Sequence, residues 1–482
     1  MSSDQITDVE SGPEASELPR AQEGVEKEVG WDGEDDPENP MNWSTLKKTV
    51  NIGIVSILAF ITPLASSTIV PGVPLMAKDF DETRKPVISL VVSIFVLGFA
   101  FGPLLLSPLS ELYGRRIVYN ISNVGHLGFT IGCALAPNIA SFIVFRFIAG
   151  CFGAAPMNVG GGSIADQVAP AKRGAVMSIL FTGIFLGPVI GPVMGGFLAQ
   201  GAGWRWVFWL LTILSGVMTI LTFVFLSESH APTLLRRKAA RLNRGVSTTQ
   251  SNAEARAFLF RAVARPMRML TRSPIVTGLS LYLALIYGYL YLLFTTFSSV
   301  FPKQYGFGIG VLGLAFLGLG VGISIALVVL SWFSDWMQAR LTKKHGVSKP
   351  EYRLIPLVFG TPLLPIGLFV YGWTAQYKVH WIVPIIFTGF TGAGLIFSFV
   401  PTQIYMVDAF TKYAASALAA TSVVRSIFGG CLPIAGLPMY SALGYGWGNS
   451  LLGFIALFMS IAPLIFWRYG EKLRTKYDVS FD

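Results

Sequence analysis

Charge is what this chain has least of. Asp, Glu, Lys and Arg make up 13% of its 482 residues, where soluble domains carry about 25%. Thirteen of the 26 acidic side chains fall in the first 49 positions, and none stands in the middle of a long apolar run: Glu111, Asp166, Glu228, Asp335 and Asp408 all lie near segment ends. A chain with this distribution cannot clothe a globular domain in a water-facing surface, so a soluble enzyme is excluded. Cysteine is almost as scarce. Cys133, Cys151 and Cys431 stand alone in apolar surroundings, with no CxxC pair and no histidine at ligand spacing, which excludes a disulfide scaffold and a zinc site. No GxxxxGK[ST] loop, HExxH or GxSxG occurs, so ATP hydrolysis and the commonest hydrolase chemistries have no foothold. No cofactor and no metal is called for. The first 49 residues contain no apolar core flanked by basic residues, which excludes a cleavable signal peptide.

Apolar runs are what the chain has in abundance. Mean hydropathy is +0.60 and 53% of residues are hydrophobic. Twelve stretches reach the roughly 20 residues a bilayer core requires: 49–72, 87–109, 117–137, 140–165, 174–200, 205–226, 274–301, 310–334, 354–373, 380–405, 413–442 and 448–469. This predicts an all-α protein of the lipid bilayer with twelve transmembrane helices and both termini on one face. Residues 1–48 read as a disordered acidic tail, 49–226 and 274–469 as two six-helix halves, 227–273 as a basic central loop, and 470–482 as a second tail. Loops on the terminal face hold 26 Lys and Arg, and the opposite loops hold six. The positive-inside rule therefore puts both termini in the cytoplasm, with the cell membrane as the expected location. The pI near 9.4 reflects those loops; no basic stripe with interleaved aromatics suggests nucleic acid. Within the central loop, RRKAARLNR reads either as an amphipathic surface helix against anionic lipid or as a plain topology signal.

A weak repeat supports two halves. SPLSELYGRR at 107–116 follows the second apolar stretch and LSWFSDWMQAR at 330–340 follows the eighth. Each sets a carboxylate, Glu111 or Asp335, near a helix end with an arginine four or five residues on.

Residues 187–196 read GPVIGPVMGG. In water so many breakers would make a loop, but a lipid-exposed loop is unavailable in hydrocarbon. Gly183, Gly187, Gly191 and Gly195 recur every four residues and stack on one helix face, where a neighbouring backbone can approach closely. Pro188 and Pro192 free carbonyls that neighbours or water can satisfy. The face reads either as a rigid packing surface or as a seam that opens and reseals.

Two bases lie inside apolar stretches. Arg146 costs about 2.5–3.5 kcal/mol to insert, so it needs a partner, a wet cavity, or a route to the headgroups by snorkelling; Arg425 has the same readings. Asp166 stands roughly 30 Å further along the helix of Arg146 at 1.5 Å per residue. It cannot pair with Arg146, and Arg115, Arg116 or Arg173 are its expected partners. Aromatic residues concentrate in the seventh and tenth stretches, with Tyr287, Tyr291 and Phe294 at i, i+4, i+7 and Phe397, Phe399, Gln403 and Tyr405 beyond.

Taken together, residues 40 to 470 resemble the major facilitator superfamily, in particular the fungal twelve-span drug:proton antiporters. The resemblance rests on SPLSE-GRR with Gly114, Arg115 and Arg116, on RFIAGCFGAAP with Arg146, Gly150 and Gly153, on the antiporter motif with Gly187, Pro188, Gly191, Pro192, Gly195 and Gly196, and on YGYLYLLFTTF and PEYRL. It implies a cavity formed by spans 1, 4, 7 and 10, a role for Arg146 in coupling substrate to protons, and contact between the halves through the glycine–proline segment. What it implies for function is export of small hydrophobic organic compounds by a monomer in exchange for protons. With no acidic residue inside the cavity, neutral or weakly acidic aromatic compounds suit better than polyamines. One proton moving down 100 mV and one pH unit releases about 3.7 kcal/mol, enough for roughly a 500-fold gradient. The alternatives are a nutrient facilitator or proton symporter, and a non-transporting membrane receptor.

Overall fold

A computed structural model describes residues 30–242, 252–346, 349–410 and 413–476, and no strand occurs among them. The first half contains α1 (Thr45–Ser67), α2 (Lys85–Tyr113), α3 (Arg115–Ala134), α4 (Ile139–Gln167), α5 (Pro170–Ala202) and α6 (Trp204–Phe225). The second contains α7 (Pro274–Tyr305), α8 (Ile309–Lys344), α9 (Pro350–Gln376) and α10 (Ile382–Ala409). One continuous helical stretch, Ala414–Met459, holds a non-helical Gly444 with φ 73° and ψ 176°. It is therefore two helices, α11 before that glycine and α12 after it, the latter prolonged by Ile461–Lys476.

Among the described residues, ten stretches are long and apolar enough to cross a membrane. The α11–α12 stretch counts there as one, and α3 fails because polar residues line one of its faces. Several of those residues bond inside the half: Asn123 donates to Thr222 of α6 (3.1 Å), Tyr119 and Ser163 of α4 share a hydrogen bond (3.0 Å), and His126 Nδ1 donates to the Ala149 carbonyl of α4 (3.0 Å). The bundle thus has twelve spans in two halves.

The two prolines inside α5 do not break it. Pro192 lacks the N–H that would bond the Pro188 carbonyl four residues back, and that carbonyl accepts instead from Ser67 Oγ of α1 at 2.9 Å.

The described parts of both expected tails are ordered. Residues 1–29 and 477–482 lie outside the described residues, but the segment from Gly30 to Trp43, expected as unstructured tail, packs on the first helix of the central loop, Ala231–Arg241. Asp36 and Asp32 both pair with Lys238 (2.8 and 2.7 Å), and Arg241 pairs with Glu38 (2.9 Å). The Lys238 hydrogen bond, reinforced by backbone N–H groups, holds the Asp36 carboxyl down at about 2. Two of the four cations of RRKAAR that could have met lipid, Lys238 and Arg241, are met by the acidic segment instead, because the two oppositely charged segments emerge on the same face. A second loop helix, Asn252–Arg272, leads into α7. At the other end, the helix after α12 runs into the expected tail, and Glu471 is anchored by Lys349 at 2.6 Å.

Candidate functional site

The two halves meet chiefly at the face away from the termini. There α2 lies against α11, with Lys85 Nζ donating to Ser441 Oγ at 2.7 Å, and α5 lies against α8, with the Gly310 N–H donating to Gln200 Oε1 at 2.8 Å. Deeper in the bundle they enclose a cavity of about 30 Å³, room for about two water molecules. Its walls come from Pro63 of α1, Met157 of α4, Phe185 and Pro188 of α5, Tyr287, Tyr291 and Phe294 of α7, Ile323 of α8, Leu395 of α10 and Arg425 of α11. A ligand-sized pocket is about 300–1,000 Å³. The cavity is therefore too small for such a ligand, its space taken by its own aromatic rings.

Spans 1, 4, 7 and 10 all contribute, as expected, and so do α5, α8 and α11. Tyr287, Tyr291 and Phe294 stack along α7 with centroid spacings of 5.1 and 5.4 Å, so their i, i+4, i+7 spacing does form one wall. Phe397 and Tyr405 do not line the cavity. Phe397 packs toward Gly360 of α9 within its own half, and Tyr405 is buried with Leu354 and Met406 in a cluster near the terminal face. Gln403 lies outside the lining too, its Oε1 buried without a hydrogen-bond partner. On α10 the helical turn selects Leu395 instead, and Phe399 packs behind the lining, edge-on to Phe185 at 5.2 Å.

Arg146 is 2% exposed, which sets aside snorkelling. Its two terminal nitrogens donate to the carbonyls of Ala65 and Ser66, both at 2.9 Å. Those carbonyls belong to the last turn of α1, where no further N–H is available and the helix dipole is negative. The rings of Phe95 and Phe208 flank the guanidinium at 4.6 and 5.7 Å. A helix end, rather than a carboxylate, is the partner of this buried charge.

Asp166 pairs with Arg115 at 3.3 Å and accepts from Ser229 at 3.3 Å. Arg116 and Arg173 go elsewhere, to the carbonyls of Phe223 and of Ala165 and Val168. The partners of Asp166 lie in the first half and at the start of the central loop, so the pair ties helices within a half and does not bridge the two. Arg115 also donates to Ser110 Oγ of α2 at 2.6 Å. The second half repeats this clamp: Arg353 at the start of α9 pairs with Asp408 at the end of α10 (3.4 Å) and donates to Ser334 Oγ of α8 (3.3 Å). Ser110–Glu111 and Ser334–Asp335 are the matching positions of the weak repeat. The serine joins the clamp in each half, and in the first half the following acid does not. Glu111 is exposed, and the side chain of Asp335 lies outside the described residues.

The carboxylate that α3 uses is Glu228, which the motif does not contain. It accepts from the backbone N–H groups of Arg115 (2.8 Å), Arg116 (3.1 Å) and His230 (2.9 Å), an anion at a helix N-terminus. Gly114, at φ 101°, is required there, since a side chain would collide with that carboxylate. Burial, with the charges of Arg115 and Arg236, pushes the neighbouring His230 down to about 4.

The glycine stripe divides in two. Gly183, Gly187, Gly191 and Gly195 face α1 of the same half, their missing Cβ positions met by Phe60, Leu64, Ser67 and Thr68. The expected contact between halves is made by other members of the segment: Gly196 lies against Ile309 and Gly310, and the Pro192 carbonyl and Val189 abut Gly313 and Gly320 of α8.

The sequence profile described as Major Facilitator Superfamily matches residues 55–433. The chain is 48% identical to the MFS-type transporter penM of Penicillium rubens, covering 98% of this chain and 96% of that one. It is 45% identical to the efflux pump radE of Floropilus chiversii, covering 95% and 86%. Among solved structures, the xylose transporter XylE of E. coli in a partially occluded inward-open conformation superposes with a TM-score of 0.64 at 16% identity, over 88% of this chain and 98% of that one.

Proposed function

Because the chain belongs to the major facilitator superfamily, a family of membrane transporters and not of enzymes, we propose that it exports small, mainly hydrophobic organic compounds by alternating access, in exchange for protons. The observation that carries this reading is the small cavity between the halves, with walls of Tyr287, Tyr291, Phe294 and Phe185 and with no carboxylate in its lining. Aromatic faces supply area for flat apolar compounds, and residues of both halves enclose the site, as alternating access requires. The direction is supported by the likeness to a chain named as an efflux pump. In this reading the protein works as a monomer in the cell membrane with both termini cytoplasmic, and Arg146 couples the site to the seal between the halves.

The test is accumulation of fluorescent polycyclic compounds in cells expressing the chain. Expressing cells should hold less dye than empty cells, and an uncoupler should abolish the difference. Accumulation that is equal, or raised, in expressing cells rejects export, and a difference that survives the uncoupler rejects proton exchange.

A further inference from the structure

The two arginines inside the bundle are treated differently. Arg146 sets both terminal nitrogens on helix-end carbonyls, although its Nε, like that of Arg425, is buried without a hydrogen-bond partner. Arg425 lines the cavity, its Nε is buried without a hydrogen-bond partner, and no ion pair among the described residues includes it. What it does have are two rings: its guanidinium lies over Tyr287 and over Phe399, 5.0 Å from each centroid. Rings hold a cation in place but bring no counter-charge.

An arginine cannot shed its proton, so this charge persists in every state of the site. It cannot be the group that carries protons. A permanent cation is costly to hold half-buried inside the bundle unless paired, and the lining offers no counter-charge: the tyrosine Tyr291 already shares its hydroxyl with Ser66 at 3.0 Å, and the other wall residues are apolar apart from Tyr287.

We infer that Arg425 is the recognition point for an ionised acid group on the cargo. The cargo class is thus an aromatic or polycyclic acid, with a carboxylate or an equally acidic oxygen on Arg425 and its flat body against Tyr287, Phe294 and Phe399. The planar fork of the guanidinium suits a two-oxygen anion in a way a lysine ammonium does not. This inference rests on the export reading for its biological sense, but the pairing itself is tested without transport.

The experiment uses the full chain in lipid nanodiscs at pH 7 and a matched pair of probes, pyrenebutyrate and pyrenebutanol, with protein-free nanodiscs subtracted. Wild type should bind the acid at least tenfold more tightly than the alcohol, the lower end of what a charge-assisted hydrogen bond contributes. Arg425→Gln should bring the acid down to the level of the alcohol while binding the alcohol within twofold of wild type, which also shows that the variant is folded. Arg425→Lys should keep a reduced preference. Equal binding of the two probes by wild type, binding of neither, or a preference that survives in Arg425→Gln overturns the inference, and the wild-type comparison decides even where the variant does not accumulate. Movement of pyrenebutyrate into inside-out vesicles is scored separately. A preference without movement leaves the anion site standing and counts against export, whereas movement without a preference does the reverse.

Discussion

Arg146 and Tyr291 stand in opposite halves of the molecule and bind the same residue, Ser66. The Arg146 guanidinium holds the Ser66 carbonyl at 2.9 Å, and the Tyr291 hydroxyl meets Ser66 Oγ at 3.0 Å. Since Ser66 Oγ gives its own proton to the Pro63 carbonyl at 2.6 Å, Tyr291 is the donor. The end of α1 is thereby fixed from both sides, by a charge of its own half and by a hydroxyl of the other. A change at either contact alters how the halves meet at the cavity.

Arg146→Ala should lower export per surface molecule at least tenfold while much of the protein still reaches the surface. Arg146→Lys keeps the charge but lacks the planar fork that sets one nitrogen on each carbonyl, and should fall between. Transport is normalised to surface protein on the same cells. Normal uncoupler-sensitive export by Arg146→Ala would leave the residue a helix cap and nothing more.

The two groups of glycines in α5 should separate stability from transport. Gly191→Leu pushes methylenes into Ser67 and the Leu64 carbonyl of the same half, at roughly 1–3 kcal/mol of strain, and should reduce the amount of protein with loss of export in proportion. Gly196→Leu intrudes on Ile309 and Gly310 of the other half. It should leave protein levels near wild type and lose export, because only the state in which the halves touch is disfavoured. Equal effects of the two variants on protein level would show that no such division exists.

The Glu228 cap and His230 predict a pH dependence. The folded pKa of His230 is depressed to about 4, so its contribution to stability is fully present above the ordinary value near 6.5 and is lost as pH falls from there toward 4. His230→Gln should flatten the fall in thermal stability across that window. Glu228→Gln removes the anion from the α3 N-terminus and should lower stability by about 1 kcal/mol, read as a shift in melting temperature at pH 7.

The acidic clasp on the loop helix is open to proteolysis. Lys238→Met removes the partner of Asp32 and Asp36 and should expose 30–43 to cleavage several times faster than in wild type, with export little changed. Asp36→Asn should act in the same direction but less. Unaltered cleavage in both would show that the clasp does not hold the segment.

A tag placed in the 227–273 loop should be labelled only after cells are permeabilised. Labelling on intact cells would reverse the orientation, and with it the side on which the Arg115–Asp166 and Arg353–Asp408 clamps sit.

The bilayer, the twelve spans, the division into halves and the charge asymmetry of the loops were all legible from residue order alone. Transfer from water to hydrocarbon is a property of each side chain and adds along the chain, so runs of Leu, Phe, Val and Gly declare their solvent without reference to any neighbour. The same holds for the four-residue spacing of Gly183 to Gly195, which predicts a close approach. What residue order could not decide was with whom. Only the tertiary structure shows that the glycines meet α1 rather than the opposite half, that Leu395 and not Phe397 turns to the cavity, that Ser110 rather than Glu111 joins the clamp, and that of two intramembrane arginines one sets its terminal nitrogens on a helix end and the other does not. Such partnerships are properties of a point in space, set by contacts between positions as far apart as Ser66 and Tyr291, 225 residues along the chain, and no local pattern encodes them.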